Sequence, residues 1–323
     1  MRWQMVVTFC LALSSVNEAR AQVAIHPAGT YLYVPNFDGK FVAVIDTSTN
    51  AVVARVAVGG NTRGVAIDPA GTRVYASNFS GDTVTVIDAA TNTVSATVSV
   101  DRFPSGMAMS PLGARVYVMH HFRNKLSVID TVSHAVIAKV VTAKDGDDRG
   151  GGAGPLGIAL NPAGTRLYLT NTAGVIVDTT THTVSGTLPV GSRPTALALN
   201  PTGTRVYVTD SGRHSVSVID TVKNVEVATI PVGHEPAGLA LNPTGTRMYV
   251  ADYGDNTVSV IDVARNTVIS KVLVHQRPFA VTVNPMGTRA YVAGPGGNNV
   301  WVIDTASHTV IATLAIARPP VGR

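Results

Sequence analysis

One spacing of prolines limits what this chain can fold into. Pro27, Pro69, Pro111, Pro162, Pro201, Pro243 and Pro285 occupy the same local phrase, written "NPTGTRVYVTD" at 200–210 and "NPTGTRMYVAD" at 242–252. The steps between them are 42, 42, 51, 39, 42 and 42 residues. Self-similarity at about 42 residues marks a repeat architecture, in which one supersecondary unit is copied and stacked.

Each unit carries four strand signals. In the sixth they are "AGLALN" (237–242), "RMYVAD" (247–252), "TVSVID" (257–262) and "TVISKVLV" (267–274). All are short, alternating or β-branched, and bounded by Gly, Pro, Asn or Asp. No stretch sustains helical periodicity. Four antiparallel strands repeated seven times predict an all-β, seven-bladed β-propeller. A solenoid is the alternative, but it uses a shorter repeat and needs capping units at its ends. At 45% hydrophobic and 14% charged, the 323 residues can bury a large core, which excludes a disordered chain.

Residues 1–21 read as a secretory leader. Arg2 gives a positive start, "MVVTFCLALSSV" (5–16) is apolar but too short to span a bilayer, and "ARA" (19–21) offers a cleavage site before Gln22. The expected organisation is a signal peptide over 1–21 and the propeller over 22–323, exported to the periplasm or the cell exterior, with no transmembrane segment. The single cysteine, Cys10, lies in the leader. The remaining chain therefore offers no disulfide, thiolate nucleophile, zinc–thiolate site or C-x-x-C-H haem attachment. Formal charge is +5, and removing Arg2, Arg20 and Glu18 leaves +4. That permits an anionic partner and argues against nucleic acid.

The phrases "YLTN" (168–171), "YVTD" (207–210) and "VSVID" (216–220 and 258–262) resemble the YVTN-family β-propeller repeat. The resemblance covers residues 22 to about 320 and is similar to YncE-like and surface-layer propellers. It implies an exported bacterial or archaeal propeller. It says little about function, because the family spans binding proteins and relatives of propeller dehydrogenases.

With strands named a (inner) to d (outer), the a–b and c–d turns share one face of the ring, and the b–c and d–a loops share the other. The a–b turn "NPTGTR" uses Gly for a positive φ. In the c–d turn the Asn position becomes His134, His182 and His308, and His26 replaces Asn in the first a–b turn; these four read as turn residues. The "VID" aspartate recurs in every unit as Asp46, Asp88, Asp130, Asp178, Asp220, Asp262 and Asp304. Arg73, Arg115, Arg166, Arg205, Arg247 and Arg289 open strand b in six units, and Tyr31 replaces the arginine in the first. A catalytic group is needed once, whereas a structural device is needed in every blade, so this set reads as structural. A hairpin symmetric about residues 80 and 81 sets Arg73 opposite Asp88, a cross-strand pair worth about 0.2–1 kcal/mol.

The units disagree at the b–c and d–a loops, where a rigid scaffold carries specificity. Arginine recurs there as Arg63, Arg102, Arg193, Arg277 and Arg318, and Phe37, Phe79, His121 and Tyr253 hold equivalent rim positions. His120 and His121 break the repeat. The candidate ligand-binding set is therefore Arg102, His120, His121, Arg193, Tyr253, Arg277, Phe37 and Phe79, suited to an anionic or planar ligand or a peptide. Adjacent histidines on a strand end point to opposite sides and make a poor chelating pair. A d–a expansion, "TAKDGDDRGGGAGP" (142–155), lacks a complete calcium loop and a Walker lysine and reads as a lid or contact loop.

The expectation is a non-enzymatic binding or scaffold protein that engages a protein or small anionic ligand through this face, with no cofactor and no metal. The alternative is a propeller enzyme, either PQQ- or quinone-dependent dehydrogenase-like or metal-dependent lactonase-like. It would bring PQQ or a divalent metal into the central pocket.

Overall fold

The computed structural model describes residues 22–142, 157–170 and 174–316. The leader 1–21, Arg318 and the expansion from residue 143 to 155 lie outside the described residues. Seven separate four-stranded antiparallel sheets follow one another along the chain, over residues 24–57, 62–99, 104–141, 158–187, 194–231, 236–273 and 280–315. In every sheet the strand order is the chain order, a-b-c-d. Among the described residues the only helical element is a single 3-10 turn at Pro295–Gly297. The molecule is a seven-bladed β-propeller.

Burial explains the strand sequences. Strands b and c are covered on both sides by neighbouring blades, so they read as near-continuous apolar runs such as Arg73–Asn78 and Thr83–Asp88. Strand d is the outer edge and alternates, as in Thr267–Leu273. One tyrosine per blade (Tyr33, Tyr75, Tyr117, Tyr168, Tyr207, Tyr249 and Tyr291) is buried at the centre of strand b. Burial pushes the Tyr33 phenol up to about 12. Strand a is lean because seven copies converge on the axis: a Cβ on Gly64 would strike the Ser105 carbonyl, and one on Gly238 the Phe279 carbonyl.

The first and last blades meet face to face. Val23, Leu32, Val34 and Ile45 of blade 1 pack with Tyr291, Val300, Val302 and Ile316 of blade 7 in one cluster. The strand at Ala24–Ile25 pairs with Tyr31–Asn36 of its own blade. Closure therefore rests on packing and on hydrogen bonds between these two blades, and not on an exchanged strand.

The face carrying the a–b and c–d turns is built by repeated hydrogen bonds. The Asp88 carboxylate accepts from the Ala90 and Thr91 amides and the Thr91 hydroxyl, and these bonds hold its pKa below the usual carboxylate value. Asp46, Asp130, Asp178, Asp220 and Asp304 each accept in the same way from two turn amides, and Asp262 from the Arg265 amide. The register sets Arg73 opposite Asp88. Yet the Arg73 guanidinium donates to the Thr131 carbonyl of the next blade at 2.9 Å. Arg115, Arg166 and Arg289 likewise reach Thr179, Thr221 and Thr47. Cross-strand ion pairs form at Arg205–Asp220 (2.6 Å) and Arg247–Asp262 (2.9 Å). Four of the six arginines thus reach the next blade, and two pair across their own hairpin with the carboxylate oxygen that the turn amides leave open. His134, His182 and His308 have φ near +56° in their turns. His26 accepts from the Ala28 amide.

Candidate functional site

The variable face is assembled from the ends of strand b. The last residue of that strand is buried and polar in most blades, and it ties its own loop to the neighbouring one. Asp210 accepts from the Ser192, Arg193 and Gly212 amides. Asp252 accepts from the Gly233 amide and the Ser259 hydroxyl, and burial raises its pKa. Asn78 donates to Thr83 and Thr85. His120 stands at this same position, fully buried. Its Nδ1 lies 3.1 Å from the Arg102 carbonyl and its Nε2 2.8 Å from the Ser127 hydroxyl. A carbonyl only accepts, so Nδ1 carries the proton and Nε2 accepts from Ser127. His120 is therefore withdrawn from the ligand-facing set. It is a fold histidine doing the work that Asn or Asp does elsewhere.

Three consecutive b–c loops bring Phe37, Phe79 and His121 together. Phe37 and Phe79 are 6.2 Å apart between ring centroids, and Phe79 and His121 are 5.9 Å apart. Two further rings complete the patch. Phe103 lies 5.2 Å from Phe79, and Phe122 lies 4.0 Å from His121 and 5.9 Å from Phe103. Both phenylalanines sit in the left-handed region, at φ +59° and +60°. Bulky residues rarely adopt that backbone, and Glu235 holds it at the same place in the blade 6 loop, so at Phe103 it is a turn conformation that carries an aromatic side chain.

Arg63 belongs to strand a (Thr62–Ile67) and not to the loop before it. Its guanidinium carbon lies 3.7 Å from the Phe79 ring centroid and 5.4 Å from that of Phe37, with the residue 4% exposed. Sequence reading counted Arg63 among the rim arginines but did not carry it into the candidate set, and it passed over Phe103 and Phe122. The signal was present: "DRFPSG" and "HHFRNK" are the aromatic-bearing loops of blade 3.

Arg63 also lines a cavity of about 160 Å³ at the channel mouth, with Gln22, Ser105, Thr195 and Phe279. Gln22 occupies the position at which other blades carry Gly or Ala. Its side-chain amide donates to the Met107 carbonyl and accepts from the Met107 amide, both at 2.9 Å, joining blade 1 to blade 3.

Of the remaining candidates, Arg102 directly precedes Phe103 of this patch, whereas Arg193, Tyr253 and Arg277 belong to the loops of other blades. Arg277 donates to the Tyr253 hydroxyl at 3.2 Å and lies over that ring, and Tyr253 meets Phe279 edge-on. Arg102 and Arg193 expose their side chains and serve the fold through main-chain atoms. His214 and His234 make a ring contact at 4.8 Å, and His234 pairs with Asp255 at 2.7 Å. His214 Nδ1 accepts the Glu235 amide, so its Nε2 is protonated when neutral and is not a ligand. Among the described residues no group of three His, Cys, Asp or Glu is placed to hold a metal ion.

A closed ring of seven blades, with one repetitive face and one variable face, defines the class: a seven-bladed β-propeller. The sequence model of a family described as Cytochrome D1 heme domain matches residues 13–144, a stretch that includes all of blades 1 to 3. Among solved structures the chain is similar to Kuenenia stuttgartiensis Hydrazine Synthase, with TM-score 0.80 and 22% identity, covering 90% of this chain and 96% of that one. It is also similar to the Myceliophteria thermophila Cps50 (Swd1) β-propeller domain, with TM-score 0.72 and 13% identity, covering 85% and 94%. These likenesses establish the fold. No curated protein sequence matches the chain. Among the described residues no helix is long and apolar enough to cross a membrane.

The expectation of a cofactor-free chain is corrected by the family match. The stretch that matches a haem domain also contains Phe37, Arg63, Phe79, Phe103, His121 and Phe122.

Proposed function

We propose that this chain is an exported, YVTN-type repeat propeller that binds a planar, anionic tetrapyrrole of the haem class on the aromatic patch over blades 1 to 3. One observation carries the reading: a five-ring aromatic array, with Arg63 beneath Phe79, lies inside the stretch matched by the haem-domain family. The donor chemistry fits. Phe37, Phe79, Phe103 and Phe122 offer apolar ring surface for a macrocycle, the exposed Arg102 offers a cation for its carboxylates, the buried Arg63 backs the Phe79 ring, and His121, buried beside Phe79, offers an imidazole for iron. The lone Cys10 leaves no thioether attachment, so the group would be held non-covalently. When bound, it would supply one-electron redox chemistry, and the protein would contribute position, an apolar surround and charge.

The test is titration of the purified protein with haemin and, separately, with metal-free protoporphyrin, followed through the Soret band. Saturable binding of both is expected. Phe79→Ala should weaken both by roughly tenfold, a loss of about 1.4 kcal/mol. His121→Ala should alter the haemin spectrum while leaving metal-free porphyrin affinity unchanged. If neither compound saturates at micromolar concentration, or if Phe79→Ala binds both as wild type does, the reading fails.

A further inference from the structure

We propose a second binding site, independent of the aromatic patch: the groove formed by the loops of blades 6, 7 and 1, built for an acidic oligosaccharide bearing uronate carboxylates. Two hollows of about 470 and 500 Å³ meet there at Asn298. The first is lined by Asn256, His275, Gln276, Arg277, Pro295 and Asn299. The second holds Asn36, Asp38, Phe41 and Arg55.

The amides in this groove are locked at one end and open at the other. Asn256 Oδ1 accepts the Arg277 amide at 2.7 Å. An N–H only donates, so the end left open is the Asn256 NH2 group. Asn36 Oδ1 accepts the Gly39 amide, which fixes its NH2 toward the Gly297 carbonyl and Asn298 Oδ1. Asn298 must then accept through oxygen, and its own NH2 is the open end. Asn299 and Gln276 bond to each other at 2.6 Å, leaving one donor and one acceptor whichever way the pair is read. Three amide donors and one acceptor thus reach the groove already oriented, at little further entropic cost on binding.

The loop that carries two of them is itself constrained. Gly296 and Gly297 have φ +65° and +69°, and a Cβ on Gly297 would overlap the Pro35 carbonyl. His275 is held at φ +65°. Among the described residues no carboxylate lines the first hollow, whereas Arg277 and His275 do, and the second holds one carboxylate, Asp38, and one guanidinium, Arg55. Donors in excess, an arginine and a polar floor complement a ligand rich in oxygen acceptors and negative charge. Two contiguous open hollows suit a chain of sugar units better than a single small anion. Arg277 matches a carboxylate, and the amides match ring hydroxyls.

The experiment uses a uronate hexamer, a neutral glucose hexamer and the free uronate monomer, titrated into the whole protein by calorimetry. Trp301 packs under Gly294 beside this loop, and its emission gives a second readout. The uronate hexamer is expected to bind at least tenfold tighter than either comparison ligand. Gln276→Ala with Asn299→Ala should weaken it tenfold or more at unchanged Tm. Arg277→Gln, at an exposed position, should abolish the preference over the neutral hexamer. Haemin titration of the same variants should match wild type, which separates this site from the patch. The proposal is overturned if the uronate hexamer does not bind at millimolar concentration. It is equally overturned if the monomer or the neutral hexamer binds as tightly, or if Arg277→Gln keeps the full preference.

Discussion

Identical residues at equivalent positions do different work in different blades. Ser259 and Ser217 occupy the same place on strand c and both are fully buried. Ser259 donates to Asp252 at 2.6 Å. Among the described residues the Ser217 hydroxyl has no hydrogen-bond partner, and Asp210 accepts from three loop amides instead. Ser259→Ala should therefore cost about 1–3 kcal/mol, whereas Ser217→Ala should stay within about 0.5 kcal/mol of wild type. Urea denaturation of the two variants side by side decides it, and equal losses would contradict the assignment. His120 makes a pH-dependent contribution of defined sign. Burial holds its imidazole below its ordinary value of 6.5. The unfolded chain thus takes up a proton that the folded state resists, so this stability is present above pH 6.5 and declines as pH falls below it. His120→Asn replaces the imidazole acceptor of Ser127 by an amide that does not titrate in this range and can still bond to a hydroxyl, as Asn78 bonds to Thr85. Between pH 7 and pH 5 the Tm of His120→Asn should fall less than that of wild type.

At the level of the element, the inner strands explain how blades stay in register around the axis. A bulge at Thr62/Gly64 takes the Gly64 amide out of its own ladder. The Ser77 hydroxyl accepts that amide at 2.9 Å and donates to the Ser105 carbonyl of the next blade at 2.6 Å. Thr170 repeats the clamp toward Thr195, and Thr209 toward Ala237. Blade 6 has Ala251 there, and the Gly238 amide bonds directly to the Phe279 carbonyl instead. Ser77→Ala leaves a buried amide and a carbonyl without this partner, and should cost about 1–3 kcal/mol in chemical denaturation. Ser77→Thr, the residue of blades 4 and 5, should recover most of it. Blade 3 departs at its b–c loop. The left-handed residue falls at Phe122 and not two positions later, as at Lys40 and Asp82, and this aims a phenylalanine into the aromatic patch.

At the scale of the whole molecule, the ring is closed by packing and by hydrogen bonds between blades 7 and 1, with no exchanged strand. Ile316 is fully buried at the end of blade 7, in the cluster shared with blade 1, and the Arg55 side chain bonds to its carbonyl. Ile316→Ala should cost about 2–5 kcal/mol, as a cavity in a core does. The loss should fall on one cooperative transition, because each blade leans on two neighbours. A separate early transition for blade 7, seen by calorimetry, would show that the seam behaves as an independent edge. The period of about 42 residues, the four strand phrases and the turn residues were legible in the chain itself, because every blade meets the same local demands of turn geometry and two-sided burial. That is why Pro201, Gly203 and Asp220 could be read one unit at a time. The site could not be read so. Arg63 looks like a loop arginine until strand a places it under Phe79, and His120 looks like a ligand until Arg102 and Ser127 are seen to use both its nitrogens. Phe37, Phe79 and Phe103 become neighbours only when consecutive blades stack, and Asn36 and Asn298 only when the ring closes. Local sequence determines what each blade is, and contacts between blades decide what their loops can bind, since those contacts join residues tens to hundreds of positions apart.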